Sequence, residues 1–595
     1  MTGTFEDLND KQKEAVFFGD GPLLIVAGAG SGKTKTLTSR LAYLISEKKI
    51  SPERIVAITF TNKAAGEMKE RVSKILSYNN KSPKEPFVGT FHSFGAGILR
   101  KDGNVFGRNK YFSIFDGDDS GRLVKNIIKN INLEKKLPSP LFFIKEISRI
   151  KNELLNPEDY FSGKDGEIVK MVFYEYEKKL QENNAFDFDD LIEKVVRIFK
   201  TKPQILLEYQ KRYDYILVDE YQDINTSQYW MIKLLVERHN NINVVGDDSQ
   251  SIYMFRFSDF RNFLNFERDW PGAKTVFLEQ NYRSTKNIIE SSSRLIAHNL
   301  SGNKKELWTK NDEGSFVQVI EHEDEFVQAD FIVDKTRDFL KNNMSVGILF
   351  RTNAQSRALE QVFVEYGIDY DLFGAVSFYE RKEIKDILAA LRLVSNPLDQ
   401  ISFERMEKSF GKRAAAQIKE KILGALGLSP SETIGLFIES SGLFELIKKE
   451  YPNYQERYEN ISELIYFAQQ FDSLEKFLEK ISLASPLEMT NKRRKKKNYS
   501  GANLMTVHLS KGLEFDVVFI SGVNEGLLPH QRSFFTSDEL EEERRLMYVA
   551  MTRAKKELFI NFYGVPSRFL FELPPEKTAF SGDRPLNEEE RFIEY

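Results

Sequence analysis

The chain contains no cysteine, which excludes disulfides, thiolate metal sites and cysteine nucleophiles. Its six histidines are scattered without the spacing of a ligand set, so Mg²⁺ is the only metal expected. Long apolar runs are missing as well: no stretch approaches the ~18 uninterrupted apolar residues that a membrane helix requires. The first ten residues, MTGTFEDLND, are acidic and unlike a secretory signal. No membrane partner is expected, and the reading places the chain in the cytoplasm. An excess of basic charge is absent too. The net charge is -4, so any nucleic-acid partner must be gripped by local patches rather than by a global field. What remains is a 595-residue chain, 41% hydrophobic and 29% charged, long enough for several cores and three or four domains.

Three short segments far apart carry chemistry. Ala27 to Thr34 reads AGAGSGKT. It follows a buried strand pattern, Leu23 to Val26, and opens an apolar-periodic helix (Leu37, Leu41, Leu44, Ile45). Gly28, Gly30 and Gly32 permit a tight turn. The backbone N–H groups around Ala29 and Ser31, with the helix N-terminus, would cradle phosphate, placing Lys33 on the β/γ oxygens and the Thr34 hydroxyl on Mg²⁺. Ala27 stands where the phosphate-loop pattern has its first glycine, and a glycine-rich strand-to-helix turn without a ligand is the alternative. The second segment, LVDEYQD (Leu217 to Asp223), delivers Asp219 and Glu220 at the carboxyl end of a strand, where open α/β sheets bind ligands. Asp219 suits the metal, and Glu220 suits the attacking water. The third, YVAMTRA (Tyr548 to Ala554), brings Arg553. With Arg283 in LEQNYRST, it is a candidate arginine finger, a role worth ~10³ to 10⁵ in turnover. A lone arginine otherwise serves as a surface ion pair.

The order of elements fits an α/β chain. Strand patterns at Leu23 to Val26, Ile55 to Thr59 and Phe87 to Thr90 alternate with helices, as in a doubly wound parallel sheet. A helical stretch runs from about Val105 to Ala185 before strands resume at Tyr215 and Ile242. A second alternation begins at Thr275 and continues through Phe316 to Glu321 and Val346 to Phe350, until about Phe373. Phe378 to Leu483 is again helical, and strands return at Leu504 to Val507, Val517 to Ser521 and Glu557 to Phe562. Two α/β cores with one complete phosphate loop imply a nucleotide held in a cleft between them, with the second core supplying cations.

Taken in order, LNDKQKEAV (Leu8 to Val16), AGAGSGKT, ITFTNKAAGEMKER (Ile58 to Arg71), GTFHSF (Gly89 to Phe94), FDFDDL (Phe186 to Leu191), VDEYQD, VVGDDSQSIYMFR (Val244 to Arg256), LEQNYRS, MTVHLSKGLEF (Met505 to Phe515) and EEERRLMYVAMTRA (Glu541 to Ala554) closely resemble the UvrD/Rep/PcrA group of superfamily 1 DNA helicases. The resemblance covers nearly the whole chain. It implies two RecA-like doubly wound parallel-sheet motor cores, each interrupted by a helical insert: residues 1–104 with 186–279, and 280–379 with 500–595, around inserts 105–185 and 380–499. It implies ATP and Mg²⁺ as cofactors, 3′ to 5′ movement on single-stranded DNA, and unwinding of 3′-tailed duplex in repair or replication restart. Carried over residue by residue, it makes Gln12 the adenine reader, Tyr282 the adenine stacking partner, Glu514 the ribose contact and Gln250 the γ-phosphate sensor. It places Phe60, Tyr253, Phe255 and Arg256 on the DNA track, with Asn62, Thr90, His92, Thr506, His508 and His530 near its backbone. Aromatic platforms of this kind stack bases at ~1 to 3 kcal/mol each without regard to sequence. Some of the rings, with Phe257, Phe260 and Phe263 nearby, serve the core instead.

Several positions depart from the family. Met254-Phe255-Arg256-Phe257 replaces Gly-Trp-Arg-Gly, a smaller ring on the track. The second insert looks shortened, and its duplex-contact Gly-Ile-Gly turn is reduced to Ser409-Phe410-Gly411-Lys412. This opens an alternative reading, a DNA-remodelling translocase with weak unwinding. Little chain follows Arg553 in this sequence, so neither a nuclease domain nor a long partner-binding tail is expected. KRRKKK (Lys492 to Lys497) reads as a solvated linker that touches DNA at most loosely. Stacking and phosphate contacts alone do not distinguish DNA from RNA.

Overall fold

The computed structural model describes residues 5–77, 85–131, 138–160, 166–373, 379, 381–450, 454–482 and 501–582. The basic run at 492–497 lies outside these residues.

Short β-branched and leucine-rich runs, buried on both faces, form the strands of two parallel sheets. The strands in chain order are β1 Leu23–Ala27, β2 Ile55–Thr59, β3 Phe87–Thr90, β4 Ser113–Phe115, β5 Ala185–Asp187, β6 Tyr215–Val218, β7 Ile242–Gly246 and β8 Lys274–Leu278. They continue with β9 Gln280–Asn281, β10 Trp308–Thr309, β11 Val317–His322, β12 Val346–Phe350, β13 Tyr370–Leu372, β14 Ala502–Thr506, β15 Phe515–Ile520, β16 Ala554–Tyr563 and β17 Thr578–Ser581. The first sheet has the order β3-β2-β6-β7-β1-β8 and the second β13-β14-β12-β15-β16-β11-β17. Every pairing within both is parallel. Helices between strands cover both faces, so the class is α/β with two doubly wound sheets.

Two features differ from the alternation read in the sequence. The strand at Lys274–Leu278 does not open the second core. It pairs with β1, Leu23 opposite Lys274 through Ala27 opposite Leu278, and closes the edge of the first sheet. Its half-buried pattern, unlike the fully buried β1, is that of an edge strand. The stretch from Val105 to Ala185 is also not purely helical, because β4 and β5 pair at its two ends. Strands of three residues are too short to show a period against flanking helices.

The helices between β4 and β5 gather their own apolar cluster around Phe115, Phe143, Val172 and Tyr176. Those between Lys382 and Ser482 gather another around Leu391, Met406, Phe437 and Phe477. A buried ionic group ties the first set to the β5 strand: Lys151 Nζ lies 2.8 Å from Glu177 and 2.8 Å from Asp190, and also pairs Asp187.

An all-parallel sheet puts the carboxyl ends of its strands on one edge. In the first sheet that edge carries the loop after β1, Phe60 after β2, Phe91 and His92 after β3, Asp219 and Glu220 after β6, and Asp247 after β7. The second sheet turns its amino edge toward the same region through Glu514, just before β15, and Arg553, just before β16.

Candidate nucleotide cleft and nucleic-acid track

The loop after β1 is held open by its glycines. Gly30 and Gly32 adopt left-handed φ of +66° and +86°, which side chains rarely tolerate. Gly28 answers a different need: a Cβ there would fall 2.2 Å from Leu307 Cδ2. Ala27 is the last residue of β1, fully buried and in register with Leu278. Extended backbone at that place needs no glycine, so the departure from the phosphate-loop pattern leaves the turn intact. Helix Lys33–Ser46 then begins without any side-chain cap, leaving its first N–H groups to a ligand.

The acids meet the loop. Thr34 Oγ1 donates to Asp219 Oδ2 at 3.3 Å. Burial, and then the Glu220 charge, pushes the Asp219 carboxyl up to about 7 against the pull of Lys33, as expected of two adjacent carboxylates in a desolvated place. Glu220 adopts left-handed φ of +53°, a strained backbone of the kind concentrated at functional sites. Burial works to raise its carboxyl too, but Lys511 and Lys33 outweigh that and hold it below the usual range. Burial pulls the Lys33 ammonium down against the charges of Glu220 and Asp247. Lys33 Nζ lies 3.9 Å from Asp247 Oδ2.

Two arginines complete the cleft, Arg553 just before β16 of the second sheet and Arg283 just after β9. Arg553, 2% exposed, donates to the carbonyls of Val549 (3.0 Å) and Leu513 (3.2 Å) and to Gln250 Oε1 (3.1 Å). Burial, then the neighbouring Arg283, pulls its guanidinium down to about 9. A desolvated guanidinium bonded to carbonyls and an amide oxygen, with no carboxylate bonded to it among the described residues, is suited to an anion. Arg283 packs beside Gly30, where a Cβ would come within 2.9 Å of its own Cβ, and donates to Glu514 Oε2 and the Thr552 carbonyl, both at 2.9 Å. Glu514 also pairs Lys555 at 2.8 Å. Gln12 donates to the Ser31 carbonyl at 3.0 Å, and Asn9 joins it to the half-exposed Tyr282, whose hydroxyl accepts from Asn9 Nδ2 at 2.7 Å.

Next to this cleft lies a row of rings. Phe60 stacks on Tyr253, with centroids 5.1 Å apart and planes at 20°. Tyr253 adjoins Phe255 (5.9 Å), Phe255 meets His508 (5.3 Å), and Arg256 lies over both Tyr253 and Phe255. Phe255 is 59% exposed whereas Phe263 is fully buried, which separates surface platform from core. His92 and His508 are both pulled down to about 3, His92 by burial and Arg256, His508 by burial, Arg351 and Arg256. Both rings are therefore neutral near pH 7. Thr90 has a structural role: its hydroxyl caps helix Phe91–Asp102 by accepting from Ser93 N at 3.2 Å. Asn62 opens helix Asn62–Ser77, and Thr506 precedes the Val507–Ser510 turn without capping it. His530 stands farther along, its N–H donating to Glu543, which also binds Arg351.

Sequence reading passed over several residues here. Lys511 reaches across the seam to pair Asp223 and stands 3.6 Å from Glu220. Phe188 packs on His92 with centroids 3.8 Å apart. Glu542 accepts from Met254 N at 2.7 Å, anchoring the segment that carries Phe255 to helix Ser537–Met551. All three lie inside the quoted motifs, but only folding shows which groups they meet.

Phe257 has left-handed φ of +63°. A glycine would accept it freely, whereas an aromatic residue there costs on the order of 1 to 3 kcal/mol.

Comparison with known proteins gives a consistent picture. Residues 8–271 match the UvrD/REP helicase N-terminal domain, and residues 276–438 and 438–564 match the UvrD-like helicase C-terminal domain. The chain is 40% identical to the ATP-dependent DNA helicase PcrA of Bacillus subtilis (strain 168), covering 98% of this chain and 85% of that protein. It is 38% identical to proteins of the same name from Staphylococcus epidermidis (97% of this chain, 87% of that one) and Leuconostoc citreum (97% and 86%).

Proposed function

The chain belongs to the UvrD-like helicase family, and we propose that it is an ATP-driven motor that moves 3′ to 5′ along single-stranded DNA and parts 3′-tailed duplex ahead of it. One observation carries the reading: Lys33, Asp219 and Glu220 of the first sheet converge with Lys511 and Arg553 of the second on one cleft, bordered by the exposed ring row. In this reading residues 1–104 with 186–279 and 280–379 with 500–595 are the motor cores, and 105–185 and 380–499 their helical inserts.

Thr34 and Asp219 fit a hard divalent cation, since a hydroxyl and a carboxylate stand together and the Asp219 carboxyl, beside the Glu220 charge, is still pushed up to about 7. Mg²⁺ held there would neutralise charge on the β/γ oxygens. Lys33 and the uncapped helix start bind the phosphates, with Gln12 and Tyr282 beside the base and Glu514 near the ribose. Glu220, kept ionised by Lys511 and Lys33, accepts the proton of the attacking water. Gln250 reports the γ-position, and Arg553 with Arg283 stabilises the charge that develops in transfer.

The direct test is ATP turnover and strand separation on 3′-tailed, 5′-tailed and blunt DNA. Separation confined to the 3′-tailed substrate supports the proposal, and separation confined to the 5′-tailed one would defeat the polarity. Tyr253→Ala and Phe255→Ala are each expected to weaken single-strand binding by about 5- to 150-fold, at ~1 to 3 kcal/mol per stacked base, and to slow translocation. DNA-independent turnover should stay near normal, and unchanged translocation would return both rings to a structural role.

The altered turn at Gly411 bears on duplex grip. Helices Gln400–Phe410 and Lys412–Ile422 meet at this one residue, and no longer loop is present to reach a second strand. Each duplex phosphate neutralised steepens the log–log salt dependence of binding by about 0.9, so junction and single-strand slopes are expected to differ by less than ~2. A much steeper junction slope would show that the insert still holds duplex.

A further inference from the structure

The segment following helix Lys286–Ile296 crosses the whole nucleotide machinery. Asn299 and Leu300 bind Glu541 of helix Ser537–Met551, at 3.1 Å to its carbonyl and 2.8 Å to its carboxylate. Asn303 N donates to Asp248 Oδ2 at 2.7 Å. Leu307 lies over Gly28 of the phosphate loop. Trp308 N donates to the Glu279 carbonyl at 3.1 Å, and Thr309 Oγ1 to the Asn281 carbonyl at 2.8 Å, two residues before Arg283. At its centre Lys305, with a side chain 5% exposed, pairs Asp247 and lies 2.7 Å from Asp248 Oδ1.

Asp247 has no exposure of its own and serves four groups. Its Oδ2 accepts from Gln250 Nε2 at 2.6 Å and lies 3.9 Å from Lys33 Nζ, while Oδ1 faces Lys305 and accepts from Ser249 N at 3.2 Å. An amide has a donor end and an acceptor end. Because Asp247 takes the donor end of Gln250, the acceptor end is left for Arg553, 3.1 Å away. A carboxylate this deeply buried requires a cation. Were Lys33 that cation, Asp247 would compete with phosphate for it.

We infer that Lys305 is a positioning residue for the γ-phosphate sensor: by neutralising Asp247 permanently it frees Lys33 for nucleotide and fixes the orientation of Gln250 toward Arg553. The inference rests on the proposed nucleotide site but needs no turnover to be tested. A lysine that merely satisfied buried acids would change stability without changing how the cleft distinguishes a triphosphate from a diphosphate.

The test is the ratio of affinities for fluorescent mant-ADP and a mant-labelled non-hydrolysable ATP analogue, measured on the full chain with Mg²⁺. Lys305→Met is expected to reduce the preference for the triphosphate by at least about 5-fold, the scale of coupling carried by one contact in such a network. Lys305→Arg, which keeps the charge, should restore most of it. A ratio within twofold of the unsubstituted chain, in a Lys305→Met variant that unfolds cooperatively, would overturn the inference even if the chain hydrolyses ATP on DNA. A chain that discriminates nucleotides through Lys305 yet fails to hydrolyse ATP would instead sink the motor reading alone. If Lys305→Met does not fold, Asp248→Asn removes one acid of the clamp without stranding a cation. Asp247 then holds Lys305 alone, and the triphosphate preference is expected to stay within twofold, so a collapse of the ratio in that variant would show Asp248 rather than Asp247 to be the working partner and overturn the inference.

Discussion

Lys33→Ala and Glu220→Gln are each expected to lower DNA-stimulated ATP turnover by at least ~10² to 10³, the scale of removing one transition-state cation or a general base. The two losses differ in kind. Gln is isosteric with Glu and accepts no proton, so Glu220→Gln should bind nucleotide with near-normal affinity and stall afterwards. The substituted side chain should still receive the 2.6 Å bond from Gln222, and the left-handed backbone at 220 is unaffected by the change. Lys33→Ala removes a phosphate ligand and should weaken nucleotide binding as well. It should not unfold the chain, because Asp247 keeps Lys305 as its counter-ion. Cooperative thermal unfolding, nucleotide affinity and turnover, measured together, separate these outcomes. Turnover near the level of the unsubstituted chain in either variant would defeat the site assignment.

Arg553→Ala should reduce turnover by ~10³ or more while leaving nucleotide affinity largely intact, since a finger acts chiefly in the transition state. The geometry makes Arg553→Lys nearly as damaging. The guanidinium spans the Val549 and Leu513 carbonyls and Gln250 Oε1 at once, and an ammonium on a flexible stem cannot reproduce that fork. Arg283→Ala is expected to fall in the same direction, and it would also free Glu514 from one of its two cations. If saturating ATP restored normal turnover in the Arg553 variants, that residue would be a binding group and not a finger.

Much of this was legible in the sequence because the relevant signals are local. A buried strand, a glycine turn and an uncapped helix start are contiguous, so Ala27 to Thr34 announced its own geometry. Asp219 and Glu220 were likewise placed by the strand they terminate. Sheet membership is a non-local property, so the alternation of strands alone attached Lys274–Leu278 to the second core, whereas the boundary at 279 implied by the resemblance keeps it with the first, where it pairs with β1. Its partner β1 lies some 250 positions earlier in the register from Leu23 opposite Lys274. The cross-seam lysines were missed for the same reason. Lys511 and Lys305 look like ordinary surface lysines until the fold buries them against Asp223, Asp247 and Asp248. Phe255 and Phe263 have the same residue type eight positions apart and opposite fates, which no pattern of aromatics could assign.

The seam between the sheets has a thermodynamic consequence. Arg553 and Lys511 bind first-sheet groups across it, and so does the ring row, in which Tyr253 and Phe255 of one side meet His508 of the other. If nucleotide and a DNA strand each bind across this joint, as proposed, they share the work of closing it. By linkage, whatever factor nucleotide contributes to the grip on a strand, the strand must return to nucleotide. A change in the affinity for one that left the other untouched would mean that the joint does not move as a unit.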